Sequence, residues 1–191
     1  MPHFERQWPV VALVIDQHTA ADTDRQRPVD KGVVRHNSIR AALFLMPTIR
    51  RAQAGDRLEH ARMRAALWPD EDPADLEEDL RELLADVTQV AFVAERDHGR
   101  LCGFAEASVR RFANSNDESP CAFLEGWWVD ADVRRGGVGR ALLAAVEDWA
   151  RAQGFTELGS DALLDNTLSH EVHRALGFEE RERVVYFRKW L

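Results

Sequence analysis

The segment from Cys121 to Gln153, CAFLEGWWVDADVRRGGVGRALLAAVEDWARAQ, limits the fold more than any other part of the chain. An apolar run ending at Val129 reads as a buried strand. Apolar residues at 138, 142, 143, 146, 149 and 150 mark one face of a helix that Gly154 stops. Between them lies Arg134-Arg135-Gly136-Gly137-Val138-Gly139-Arg140. Successive glycines let backbone N–H groups close around an anion without Cβ clashes, and the helix start adds unpaired donors and its dipole. This is chemistry suited to a pyrophosphate. No Lys-Ser/Thr pair follows the glycines and G-x-G-x-x-G does not fit, so neither the P-loop nor the dinucleotide fingerprint applies. A plain glycine-rich turn between strand and helix is the bland alternative.

Other elements alternate densely after Met46. Thr48 to Arg51 reads as a short strand, and a helix capped by Asp56 runs to about Leu67, ended by Trp68-Pro69. Pro73 opens a second helix with acidic first turns. Val90 to Glu95 and Leu101 to Val109 flank Asp97-His98-Gly99 as a hairpin, and residues 111–120 form a polar loop. After the glycine turn and its helix come a strand near Thr156 to Ser160 and a helix from about Asn166 to Leu176. Glu179 to Arg183 and Val184 to Arg188 are expected to close the chain as strands. The order β-α-α-β-β-β-α-β-α-β-β predicts an α+β fold: a mixed, mostly antiparallel sheet with helices on both faces.

Residues 1–46 show no sustained period and read as a poorly ordered N-terminal extension, leaving 47–191 as the folded domain. The chain has 191 residues, 45% hydrophobic, enough for a real core. Its 25 basic and 33 acidic residues give a net charge of −8, which speaks against nucleic acid as a partner and favours a cationic one. Cys102 and Cys121 lie in apolar runs and read as buried free thiols in a reducing, cytoplasmic setting. No Cys/His spacing suggests a metal site, and no apolar stretch is long enough to span a membrane.

With Arg134, Gly137 and Gly139 in place, residues 47–191 resemble the GNAT superfamily of acyl-CoA-dependent N-acyltransferases, whose motif is Gln/Arg-x-x-Gly-x-Gly/Ala. The resemblance implies that Arg135, Gly136, Gly137, Val138, Gly139 and Arg140 hold the pyrophosphate of acetyl-CoA. It implies that the strand ending at Val129 diverges from the next, so that the pantetheine arm pairs with the backbone of Trp127, Trp128 and Val129. Gly126 is expected to supply a bulge, and the Val129 N–H to polarise the thioester carbonyl.

Within that superfamily, LWPDEDPADL, SPCAFLEGWWV, SDALLDNTLSHEVHRALGFEE and ERVVYFRK resemble the aminoglycoside 6′-N-acetyltransferases. That likeness implies an acceptor site of Trp68, Glu71, Phe112, Glu125, Asp161 and Glu182, a coenzyme contact at Asn166, and a homodimer. Glu71 stands where a histidine can occur and Phe112 where a tyrosine can, which bears on drug preference. Independently, a carboxylate inside an apolar run, as Glu125 is, is costly unless functional or paired with an arginine. Asp161 follows a strand end and reads equally as a turn residue or helix cap, while Asn166 reads more readily as a helix N-cap, its coenzyme role resting on the resemblance. His170 and His173 have no metal-like setting and read as surface or packing residues. Acetyl transfer needs a deprotonated amine, so Glu125 is expected as a water-relayed base and Asp161 as orienter. Rival readings are transfer to a polyamine, amino sugar or protein amine, and a non-catalytic acyl-CoA-binding module.

Overall fold

A computed structural model describes residues 46–190. The extension expected over 1–46 lies, Met46 aside, outside the described residues. The chain forms β1 (Thr48–Arg51), α1 (Arg57–Leu67), α2 (Pro73–Ala85), β2 (Gln89–Glu95), β3 (Leu101–Arg110), β4 (Cys121–Val129), α3 (Val138–Ala152), β5 (Leu158–Gly159) and α4 (Thr167–Ala175). The sheet runs β1-β2-β3-β4-β5, antiparallel as far as β4 and parallel between β4 and β5.

Periodicity explains the layers. His60, Met63, Arg64 and Leu67 are the buried positions of α1, and Leu76, Leu80 and Leu83 those of α2. Both helices cover one face of the sheet, around Phe104, Trp128 and Trp68. The α3 stripe of Val138, Leu142, Leu143, Val146 and Trp149 covers the other face with Leu124 and Trp127, joined by Val172 of α4 and by Leu176 just past its end. Each such side chain contributes roughly 1.5–3 kcal/mol on burial. Pro73 occupies the first turn of α2 and Asp72 caps it, accepting from the Ala74 N–H at 2.8 Å. Cys102 and Cys121 are free and buried, and burial raises both thiol pKa values.

Three expectations are corrected. Asp56 stands at the N-cap of α1 but its side chain does not cap that helix: residues 54–56 form a 3-10 turn, and the carboxylate instead accepts from the Gln53 N–H and the Arg50 guanidinium. The strand after α3 shrinks to Leu158–Gly159, because only Ala122 and Phe123 of β4 pair with it. The two closing strands do not form: residues 179–190 have no secondary structure and are exposed. Apolar alternation marks a segment fit for a strand, but a strand exists only where an edge receives it.

Candidate active site

The β3–β4 ladder contains the decisive irregularity. Glu106 pairs with Gly126 while Ala107 pairs with Leu124, so Glu125 is the extra residue of a bulge. The bulge therefore falls at Glu125, beside the glycine expected to supply it. Its effect is to put Leu124 and Trp127, three residues apart, into the same core under α3. Glu125 is turned to the opposite face, next to Gly126, against which Trp68 packs so closely that a Cβ there would sit 2.8 Å from the indole.

Glu125 is 5% exposed, and its carboxylate is fully engaged. Arg110 Nε donates to Oε1 at 2.8 Å, Arg110 Nη2 donates to Oε2, and the Ser108 hydroxyl donates to Oε1. The guanidinium also stacks on Phe123, 3.6 Å from the ring centroid. Burial works to lower the Arg110 pKa, but Glu125 and Asp161 outweigh it and raise it. Arg110 thus joins the two expected catalytic carboxylates electrostatically. Three donors thus already occupy the carboxylate that was expected to act as a water-relayed base. Arg110 and Ser108 were missed in the sequence; their spacing of two on one strand, facing Phe123 and Cys121 across the ladder, was the available signal.

Past Phe123, β4 and β5 have no pairing, and the edge of β4 opens. The Asp130 N–H donates to the Cys102 carbonyl at 2.8 Å, which fixes the alternation. Trp128 turns its backbone toward Phe104 of β3, whereas Trp127 and Val129 turn theirs toward the open edge. Trp128 is therefore not part of the offered edge, contrary to expectation. Its indole N–H donates instead to Asp130 at 3.0 Å, and Arg134 lies 5.1 Å from its ring centroid. Arg134 also donates to the Val129 carbonyl at 2.8 Å, bracing the turn against the strand.

In that turn, Arg135 (φ 61°) and Gly137 (φ 89°) are both left-handed, a geometry that points successive N–H groups into one concavity. Gly137 is the N-cap of α3 and no side chain caps the helix. The first helical bond runs from Ala141 N–H to the Gly137 carbonyl, so the N–H groups of Val138, Gly139 and Arg140 have no helical acceptor. Val138 is buried in the core and offers backbone only, while Arg135 and Arg140 are exposed cations. A Cβ on Gly139 would sit 3.0 Å from the Trp127 ring, so loop and strand edge are locked together. Gly136 follows Arg135 in the same turn, where its own N–H donates to the Val133 carbonyl at 3.4 Å.

The remaining expected residues fall into two groups. Trp68, 4% exposed, lines the Glu125 face, and Asp161 stands just beyond β5. Asn166 caps α4, accepting from the Ser169 N–H at 3.1 Å, which leaves its amide nitrogen for other use. Glu71, Phe112 (67% exposed) and Glu182 lie on the surface. Glu182 sits on the strandless C-terminal arm, which Arg181 ties to Asp117 of the 111–120 loop at 2.6 Å.

Residues 56–178 match the model of the acetyltransferase (GNAT) family. The chain belongs to this family. Among curated relatives, the aminoglycoside N(6′)-acetyltransferase type 1 of Stenotrophomonas maltophilia is 48% identical over 143 residues, covering 74% of this chain and 92% of that protein. The protein of the same name from Acinetobacter baumannii is 43% identical, over 66% and 87%. Among solved structures, AAC(6′)-Iy in complex with the bisubstrate analogue CoA-S-monomethyl-acetylneamine is 39% identical at a TM-score of 0.72, covering 75% of this chain and 98% of that one. AAC(6′)-Ih from Acinetobacter baumannii is 38% identical at a TM-score of 0.71, with the same coverage.

Proposed function

We propose that this acetyltransferase moves acetyl from acetyl-CoA to the 6′-amine of aminoglycosides and so confers resistance to them. The reading is carried by one observation: a bulge aims Glu125 beside Trp68, next to the strand edge formed by Trp127 and Val129. Relatives that carry the aminoglycoside name at 38–48% identity support it.

In this proposal residues 135–140 grip the pyrophosphate through backbone donors and two flanking arginines, and Asn166 adds a contact by its amide nitrogen. The pantetheine arm extends the sheet along Trp127 and Val129, whose outward amides match its own. The Val129 N–H, fixed before substrate arrives, takes the charge that develops on the acyl oxygen. On the acceptor side, Glu125 and Asp161 hold the polycation by charge, Trp68 supplies an apolar wall for a sugar ring, and Glu71, Phe112 and Glu182 form the rim. Catalysis then rests on direct attack by a positioned amine, without an acyl-enzyme.

The domain is taken as 47–191, working in the cytoplasm where acetyl-CoA is made. It is taken as a homodimer, because Val185, Tyr186, Phe187 and Trp190 of the arm are exposed, Phe187 at 93%. An apolar strip of that kind on an extended segment is suited to a second copy of the chain. Incubation with acetyl-CoA and kanamycin or tobramycin should release thiol and acetylate the 6′-nitrogen. Absence of thiol release with both drugs, alongside release with a polyamine, would move the enzyme to another acceptor.

A further inference from the structure

The mechanism above leaves one proton without a route. The attacking nitrogen must lose a proton and the departing sulfur must gain one, yet Glu125 is engaged by Arg110 and Ser108. Across the opening from the Trp127 edge stands a hydrogen-bonded pair that no other part of the site uses. His173 of α4 is buried; its Nδ1 lies 2.7 Å from the Ser169 carbonyl, so Nδ1 carries the hydrogen and donates. Its Nε2 therefore presents a lone pair, and the Ser160 hydroxyl, 3.0 Å away, donates to it. The Ser160 oxygen keeps its own lone pairs for a donor arriving from the opening. Ser160 is the first residue beyond β5, adjacent to Asp161, at the point where β4 and β5 part. The His173 ring meets Trp127 edge-on at 6.1 Å between centroids and Phe178 at 5.0 Å, so its position is fixed by packing.

We propose that Ser160 and His173 form a proton relay from the acceptor amine to the leaving thiol. This rests on the acetyl transfer proposed above. As the nitrogen–carbon bond forms, the surplus proton on nitrogen passes to Ser160 Oγ while the hydroxyl proton passes to His173 Nε2, giving an imidazolium. When the carbon–sulfur bond breaks, its electron pair stays on sulfur. The imidazolium then returns its proton through the same hydroxyl to that sulfur, leaving an amide, a free thiol and neutral His173. Two features suit His173 to the task. Burial lowers its pKa, so it is neutral and ready to accept at pH 7, while the Ser169 carbonyl and Asp161 favour the imidazolium and His170 opposes it. A relay through a hydroxyl also lets a buried imidazole act without leaving its packing. The expectation that His173 only packs is thereby extended.

The test compares wild type with Ser160→Ala, Ser160→Thr and His173→Gln. Loss of relay should lower kcat about 100-fold in Ser160→Ala and His173→Gln. Ser160→Thr, which keeps the hydroxyl, should stay within about fivefold of wild type by the same reasoning. Calorimetric affinity for CoA should hold within a factor of about two while kcat falls, a split that a merely structural role would not give. Nitrogen-15 NMR should find the proton on Nδ1 of His173 in wild type, with Nε2 shifting when Ser160 is removed. A wild type inert toward aminoglycosides would sink the substrate reading alone. The relay is then read on slow thiol release to water, which the two variants must lose. Unchanged kcat in Ser160→Ala, unchanged thiol release in that second arm, or a proton found on Nε2, overturns it.

Discussion

Arg110 holds Glu125 from two sides: its guanidinium forks the carboxylate that the β4 bulge turns to the Trp68 face, while stacking on Phe123 two residues earlier. An arriving ammonium group therefore meets an ion pair, not a bare anion. Glu125→Gln keeps the shape and removes the charge, so kcat/KM for the aminoglycoside should fall about 100-fold, about 2.8 kcal/mol at 1.4 per decade. CoA affinity should hold within a factor of about two. Equal losses in both would show that Glu125 serves the fold alone.

Removing the other partner has a different signature. Arg110→Met leaves a buried carboxylate without its cation, and breaking such a pair costs about 3–5 kcal/mol at full burial, less here because Arg110 is partly exposed. The melting temperature should drop. A thermal melt unchanged from wild type would contradict the pairing.

The turn before α3 makes a separate prediction. Gly137 has φ 89°, and a side chain there costs roughly 1–2 kcal/mol. Gly137→Ala should misalign the N–H cluster and weaken CoA binding about tenfold by calorimetry, with no change in acceptor KM. Gly126→Ala is its mirror image. A methyl group 2.8 Å from the Trp68 indole must push that wall away, so acceptor KM should rise while CoA affinity stays.

Beneath Trp68 lies a buried charge cluster with a pH signature. His60 Nε2 is 2.7 Å from Glu106 Oε1, Arg64 Nε is 3.6 Å from the same oxygen, and the cluster is no more than 1% exposed. Burial works to raise the Glu106 carboxyl, but Arg64 and His60 outweigh it and hold it below the ordinary range. Its stabilisation is complete above the unfolded value, about 4.3, and is lost as pH falls through the depressed folded value. His173, lowered by burial, acts at higher pH: below about 6.5 the unfolded chain takes up a proton more readily than the folded one, so stability declines there too. Melting temperatures should be highest near neutrality, dip gently below about pH 6.5 and fall steeply below about 4. A melting temperature flat from pH 8 to 4 would contradict both signs.

The exposed arm predicts assembly. Light scattering should give a dimer for the full chain and a monomer once the chain from Val184 onward is deleted. A full-length monomer would mean that Phe187 and Trp190 face some other partner.

Much of this was readable in advance because the signals are local. Helical spacing in α1, α2 and α3 follows from which residues are apolar, and the glycines at 136, 137 and 139 specify an anion-accepting turn wherever they are placed. The strand run containing Glu125 announced a carboxylate that needed a reason to be buried. What tertiary structure alone decided are relations between distant segments. The bulge is a mismatch between β3 and β4, so neither strand encodes it by itself, yet it settles which face Glu125 sees. Arg110 reaches Glu125 across that ladder, and His173 meets Ser160 only because α4 packs back over the end of β5. The closing strands failed for the same reason: Val184 to Arg188 have the residues of a strand, but hydrogen bonding to an edge is a property of two segments, and a sequence pattern describes only one.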